Sequence, residues 1–152
     1  MRHARLAYAL LSLSTVLVAA DPFVATWKLN PSKSNYKIGQ PAKEQTVTIT
    51  EAGADLDVVI KGIAADGSTP ISSHYTMPTA GGQGKIIQSP YEAVSSRRPG
   101  PYQREIRYSK GGKVVMTVRT RVSADGKTMT AAVKGTDPAG NKVDGTAVFE
   151  KQ

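Results

Sequence analysis

A chain of 152 residues with 20 basic side chains, 12 acidic ones and no cysteine has the length of one domain and excludes disulfide bonds and thiolate metal sites. The net charge of +8 could favour an anionic partner, but the basic residues are scattered rather than gathered in one run, the pattern of a solvated surface. Beyond residue 20 there is one histidine, His74. Zinc, copper and haem draw on several His or Cys ligands, so no metal and no cofactor is expected.

Met1 to Ala20 reads as a secretory signal peptide. Arg2 and Arg5 form a positive start, Leu6 to Val18 an apolar centre, and Val18-Ala19-Ala20 a small-residue cleavage site. Cleavage near Ala20 leaves 21–152 as a single domain, periplasmic or secreted. The apolar run is shorter than the roughly 20 residues that cross a bilayer, so no transmembrane segment is expected in the mature chain. Nucleic acid is not an expected partner for an exported protein, and a monomer is expected.

The mature chain repeats one unit: a short alternating run rich in Val, Ile and Thr, then a turn of Gly, Asp, Asn or Pro. Phe23, Ala25, Trp27 and Leu29 share one parity and predict an inward-facing first strand. From Asn30 to Glu44, Pro31, Gly39 and Pro41 break the alternation, which predicts a cap or lid connection with at most one helical turn. Gln45–Thr50 and Asp55–Ile63 form a hairpin with Val47, Ile49, Leu56, Val58 and Ile60 inward. The Ala65-Asp66-Gly67-Ser68 turn then leads to a strand over about Pro70–Met77, with Ile71, Tyr75 and Met77 on one side and His74 on the other. Thr79 to Gly84 reads as a flexible stretch, followed by short strands at Lys85–Gln88 and near Ala93–Arg97. The Gly-rich stretch feeds no helix and so is not a phosphate loop. Ile106 and Tyr108 share a face, as do Val114, Met116, Val118, Thr120 and Val122. Met129, Ala131 and Val133 continue that face, and Val143, Gly145, Ala147 and Phe149 close it.

Ten strands joined by short turns predict an all-β fold, a ten-stranded antiparallel up-and-down β-barrel, because closure removes the exposed edges of an open sheet. A two-sheet sandwich needs long crossovers, and the pattern contains none.

Phe23-Val24-Ala25-Thr26-Trp27-Lys28-Leu29 and Val148-Phe149-Glu150-Lys151-Gln152 resemble the opening and closing strands of the fatty-acid-binding branch of the calycin superfamily, with Ala25 where that pattern has Gly. Trp near the end of the first strand is also a lipocalin hallmark, and the layout resembles small exported lipocalin-like bacterial domains. The resemblance implies a cavity for a fatty acid or similar ligand, its carboxylate met by an Arg and a Tyr of the last strand. Those positions fall on Ala147 and Phe149, so both groups are missing. The resemblance also implies two helices in the first connection, for which Asn30–Glu44 is short.

Trp27, Tyr75, Met77, Tyr108, Met116 and Phe149 are the candidates for contact with a small hydrophobic or amphipathic ligand. For Trp27 the competing reading is structural, an aromatic that closes the barrel end and packs against a neighbouring side chain; the same bulky set would also fill a small barrel, and alternation does not separate a packed interior from a hollow one. In the segment Arg97-Arg98-Pro99-Gly100-Pro101-Tyr102-Gln103-Arg104, Arg97, Arg98 and Arg104 are the candidates for binding an anion, since guanidinium offers several donors; the competing reading is a hairpin tip with solvated charge. No catalytic residues are expected. His74 lacks a visible partner, Asp55 and Asp57 lie opposite the inward Leu56 and Val58, and Asp66 and Asp125 belong to turns. The expected function is binding of a lipid-like ligand by an exported barrel; the alternative is a non-enzymatic envelope or secreted module with a filled core that acts through its surface.

Overall fold

The computed structural model describes residues 19–152; all but the last two residues of the expected signal peptide lie outside them. Alternation becomes strand almost throughout: β1 (Ala25–Leu29), β2 (Asn35–Ile38), β3 (Glu44–Ala52), β4 (Asp55–Ile63), β5 (Pro70–Pro78), β6 (Gly82–Gln83). The second half adds β7 (Lys85–Gln88), β8 (Ala93–Gly100), β9 (Gln103–Lys110), β10 (Lys113–Val122), β11 (Thr128–Thr136) and β12 (Lys142–Lys151). The helical content among the described residues is one 3-10 turn, Pro31–Lys33. The strands form one antiparallel sheet in the order β6, β8, β9, β10, β11, β12, β1, β3, β4, β5, β7, with β2 on β12.

This sheet curls into a nearly closed barrel. Its two ends are β6, paired with β8, and β7, paired with β5. Only Gly84 separates β6 from β7, so one short bent segment joins the ends. The Gly84 N–H donates to Val94 O at 2.9 Å, and a Cβ there would lie 2.4 Å from Thr76 O and 2.8 Å from Val94 Cγ1. Glycine is what lets β5 and β8 approach. Gly84→Ala is expected to part them at a cost of about 1–3 kcal/mol, the usual range for overpacking; amide hydrogen exchange should show protection falling first at β6 and β7, before the β10–β11 hairpin.

Among the described residues the strand count is twelve, not ten, for two local reasons. The expected lid connection contains β2, which pairs with Asp144–Thr146 of β12 beyond the point where β1, paired with Phe149–Lys151, leaves that edge. Asn30 makes the break between them: its side chain accepts from the Lys33 N–H and caps the 3-10 turn begun by Pro31. The expected flexible Gly stretch likewise contains β6. A third difference lies in β10, where the register shifts between Val114 and Met116. The extra residue of this bulge breaks the parity, and Val114 is exposed instead of sharing the inner face with Met116.

Elsewhere the expected inner faces hold. Phe23, Trp27, Leu56, Met77, Val94 and Phe149 are among the buried residues of the core, and the polar turns lie at the barrel ends. Within the β4–β5 turn, Thr69 and the N–H groups of Thr69 and Ser68 bond to Asp66 and hold its carboxyl down at about 2.

Candidate functional site

The inner faces do not fill the barrel. Between them lies a cavity of about 470 Å³, walled by side chains such as Val58, Tyr75, Met77, Ile106, Tyr108 and Met116. Its mouth lies between the β4–β5 turn, at Ala65 and Pro70, and the β11–β12 turn, at Asp137 and Pro138; at the other end it reaches Phe23 and Arg104. The size falls within the roughly 300–1,000 Å³ of small-molecule sites, and the mostly apolar lining is typical of them.

Tyr75, Met77, Tyr108, Met116 and Phe149, expected on the interior, all line this cavity. Trp27 does not. It is fully buried in the core, and its Nε1–H donates to Phe23 O at 2.9 Å, so it fixes the closed end and leaves the ligand space to others.

Two tyrosine hydroxyls meet across the interior. Tyr75 Oη and Tyr108 Oη are 2.7 Å apart, with their rings edge to face at 5.8 Å, and Tyr91 stacks at 4.8 Å on the other side of Tyr108. Burial pushes the Tyr75 hydroxyl up to about 12, although the bond from Tyr108 opposes the shift. Burial also raises Tyr108 and Tyr91. These groups are neutral in the folded protein. An unfolded tyrosine ionises near 10, so their contribution to stability is full below pH 10 and is lost as pH climbs toward the folded values. Each should add about 1.4 kcal/mol per pH unit to an alkaline loss of stability. Urea midpoints between pH 9 and 12 test this; Tyr75→Phe combined with Tyr108→Phe should flatten the fall.

The arginines of the β8–β9 hairpin separate by strand parity. Arg97 points outward, 68% exposed, with Nη1 4.0 Å from Glu105 Oε1. Arg107 Nε and Arg119 Nε donate to the same carboxylate at 2.7 and 2.9 Å. Burial pushes the Glu105 carboxyl up, but the bonds from Arg119 and Arg107 outweigh it and hold the group below its usual range.

Arg98 and Arg104 point to the closed end, where both reach Asp21 Oδ2, at 2.9 and 3.3 Å. Both also donate to Thr79 O, at 3.2 and 2.7 Å. The Arg104 side chain is 0% exposed, far from the solvated hairpin tip of the competing reading, and its guanidinium carbon lies 5.4 Å from the centre of the Phe23 ring. Burial lowers its proton affinity, partly offset by Asp21, but a guanidinium keeps its charge inside proteins. Thus the three hairpin arginines do not form one site: Arg98 and Arg104 come together and Arg97 stands apart.

Asp21, Thr79 and Tyr91 were not legible as site residues. Asp21 precedes the first alternating run, and Thr79 and Tyr91 lie in loops, where period-two reasoning has nothing to count. His74, expected to lack a partner, bonds through Nε2 to Asp57 Oδ1 at 2.7 Å. The pair sits on the outer wall, because Asp57 and His74 lie at outward positions of adjacent strands. No side-chain hydroxyl bonds to this ring among the described residues.

Fold and site together define a class: a nearly closed antiparallel barrel with an apolar cavity and a buried cation at its closed end. Comparison with known proteins finds no match to this chain among protein-family models, curated proteins or solved structures.

Proposed function

We propose that this chain is an exported barrel of lipocalin or fatty-acid-binding type that holds an apolar or amphipathic small molecule without transforming it. The observation that carries this reading is the 470 Å³ cavity, which runs from an open mouth down to Arg104. An apolar guest gains about 25 cal/mol for each Å² of apolar surface withdrawn from water, and the paired sheet gives the wall a fixed shape. Export as a soluble monomer is part of the proposal. Asp21, whose side chain is 5% exposed and bonded to Arg98, begins the packed structure, while Ala19 and Ala20 are exposed, an arrangement that suits cleavage after Ala20. No helix among the described residues is long and apolar enough to cross a membrane.

The test is native mass spectrometry of the protein recovered from the exported fraction after expression of the full chain, followed by denaturing extraction. A stoichiometric lipid-like adduct is expected. A bare mass, with no uptake of a fluorescent apolar probe in titration, would favour the second reading, a module that acts through its surface. The cluster of Arg97, Arg107 and Arg119 around Glu105 on the outer wall supports that second reading.

A further inference from the structure

We propose that the outer wall formed by β8, β9 and β10 is a docking surface for an acidic polysaccharide, whose repeating anionic groups pair with Arg97, Arg107, Arg119 and Arg121. Basic residues that are scattered along the chain are gathered here by the sheet. Arg97 and Arg119 flank Glu105 in one cross-strand row, Arg107 lies two residues from Glu105 along β9, and Arg121 lies two residues from Arg119 along β10. With strands about 4.8 Å apart and a rise of about 3.4 Å per residue, the four arginines fall within a patch of about 10 by 14 Å.

The charges are arranged in depth. The Glu105 side chain is 10% exposed, whereas those of Arg97 and Arg119 are 68% exposed and that of Arg107 is 41% exposed. The carboxylate lies beneath the guanidiniums, and an anion that arrives from solvent meets the cations first. Glu105 also sets their aim: its two oxygens accept from Arg107 Nε and Arg119 Nε, which leaves the two Nη groups of Arg119 as a fork for an oxyanion. Long side chains held in place before binding lose less freedom when a guest arrives.

Glu105 is the single acidic residue in the sequences of β8, β9 and β10. Four guanidiniums face one carboxylate, so the wall keeps an excess of positive charge that attracts a polyanion. The side chains set among the arginines choose its kind. Ser95 and Thr117 flank Arg107, and Gln103 and Thr130 flank Arg121. These are hydroxyls and an amide, which both donate to and accept from sugar hydroxyls. A membrane surface calls for apolar side chains to bury among the lipids, a single nucleic-acid strand for aromatic platforms, and a protein partner for aromatic anchors. None of these stands at the paired positions around Arg107 and Arg121.

The wall and the cavity are separate features, and the test reads the wall alone. Labelled polygalacturonate and dextran sulfate are titrated by fluorescence anisotropy, at neutral pH and low salt, with protein purified after expression of the full chain; methyl-esterified polygalacturonate and plain dextran are the neutral counterparts. At least one acidic polymer should bind, and its neutral counterpart should not. Arg97→Gln combined with Arg119→Gln should weaken that binding about 3- to 30-fold, the range set by two exposed ion pairs. Lys28→Gln combined with Lys61→Gln removes the same charge from exposed positions of β1 and β4, and should weaken it by less than about 2-fold. Equal losses in the two variants, or binding of neither acidic polymer, overturn the proposal. Tighter binding of phosphatidylglycerol vesicles or of duplex DNA at the same charge concentration overturns the choice of partner. Should the arginine pair prove necessary for folding, Arg121→Gln against Lys28→Gln makes the same comparison.

Discussion

Asp21→Ala should lower stability by about 3–5 kcal/mol, the usual cost of removing one partner from a buried ion pair. Two guanidiniums, one of them 0% exposed, converge on this carboxylate. Its removal leaves them with the carbonyl of Thr79 as their shared acceptor. The Oδ1 atom also accepts from the Phe23 N–H at 2.9 Å, which fixes the start of the first strand. In urea, where small domains lose about 1–3 kcal/mol per molar, the midpoint should fall by roughly 2 M. Asp21→Asn, which can keep the bond to Phe23 but not the charge, should fall by nearly as much. A shift below about 0.5 M in both variants would mean that water satisfies the arginines and that the closed end is not dry.

Trp27→Ala should cost a similar amount, about 3–5 kcal/mol, because it empties a fully buried site and the surrounding strands collapse only in part. Trp27 sits in β1 between Lys151 of β12 and Val47 of β3, so the void opens where the first and last strands meet. Trp27→Phe keeps most of the packing but leaves Phe23 O without its donor, a smaller loss of about 1–3 kcal/mol. The chain has one Trp, so circular dichroism is the appropriate readout. Since Phe23 links Trp27 to Arg104, the Asp21 and Trp27 substitutions should combine non-additively, with a coupling of about 0.5–3 kcal/mol.

Period-two alternation is a local signal, and it succeeded where neighbouring residues decide the outcome. The inner faces of β3, β4, β5 and β11 follow it residue for residue, because a strand that buries one side of a pleated sheet must alternate. It failed where a distant strand decides. β2 has no alternation of its own and becomes a strand because β12 offers an unpaired edge beyond the end of β1. β6 is two residues long and exists to pair with β8. Val114 reads as inward until the bulge, set by the register with β9, turns it out. The site divides in the same way. Tyr75, Met77, Tyr108 and Met116 were legible because each lies on an alternating strand. The role of Arg104 required Asp21, 83 positions away, and Thr79, 25 positions away.

The amino-acid sequence by itself determined an all-β antiparallel barrel and the side chains that face its interior, since alternation and turn chemistry act between near neighbours. Only the tertiary structure decided that the interior is hollow, that twelve strands share the sheet, and that one hairpin sends Arg97 outward to Glu105 while Arg98 and Arg104 reach Asp21. Volume, closure and charge pairing depend on distances between residues far apart in the chain, and those distances exist only once the barrel has formed.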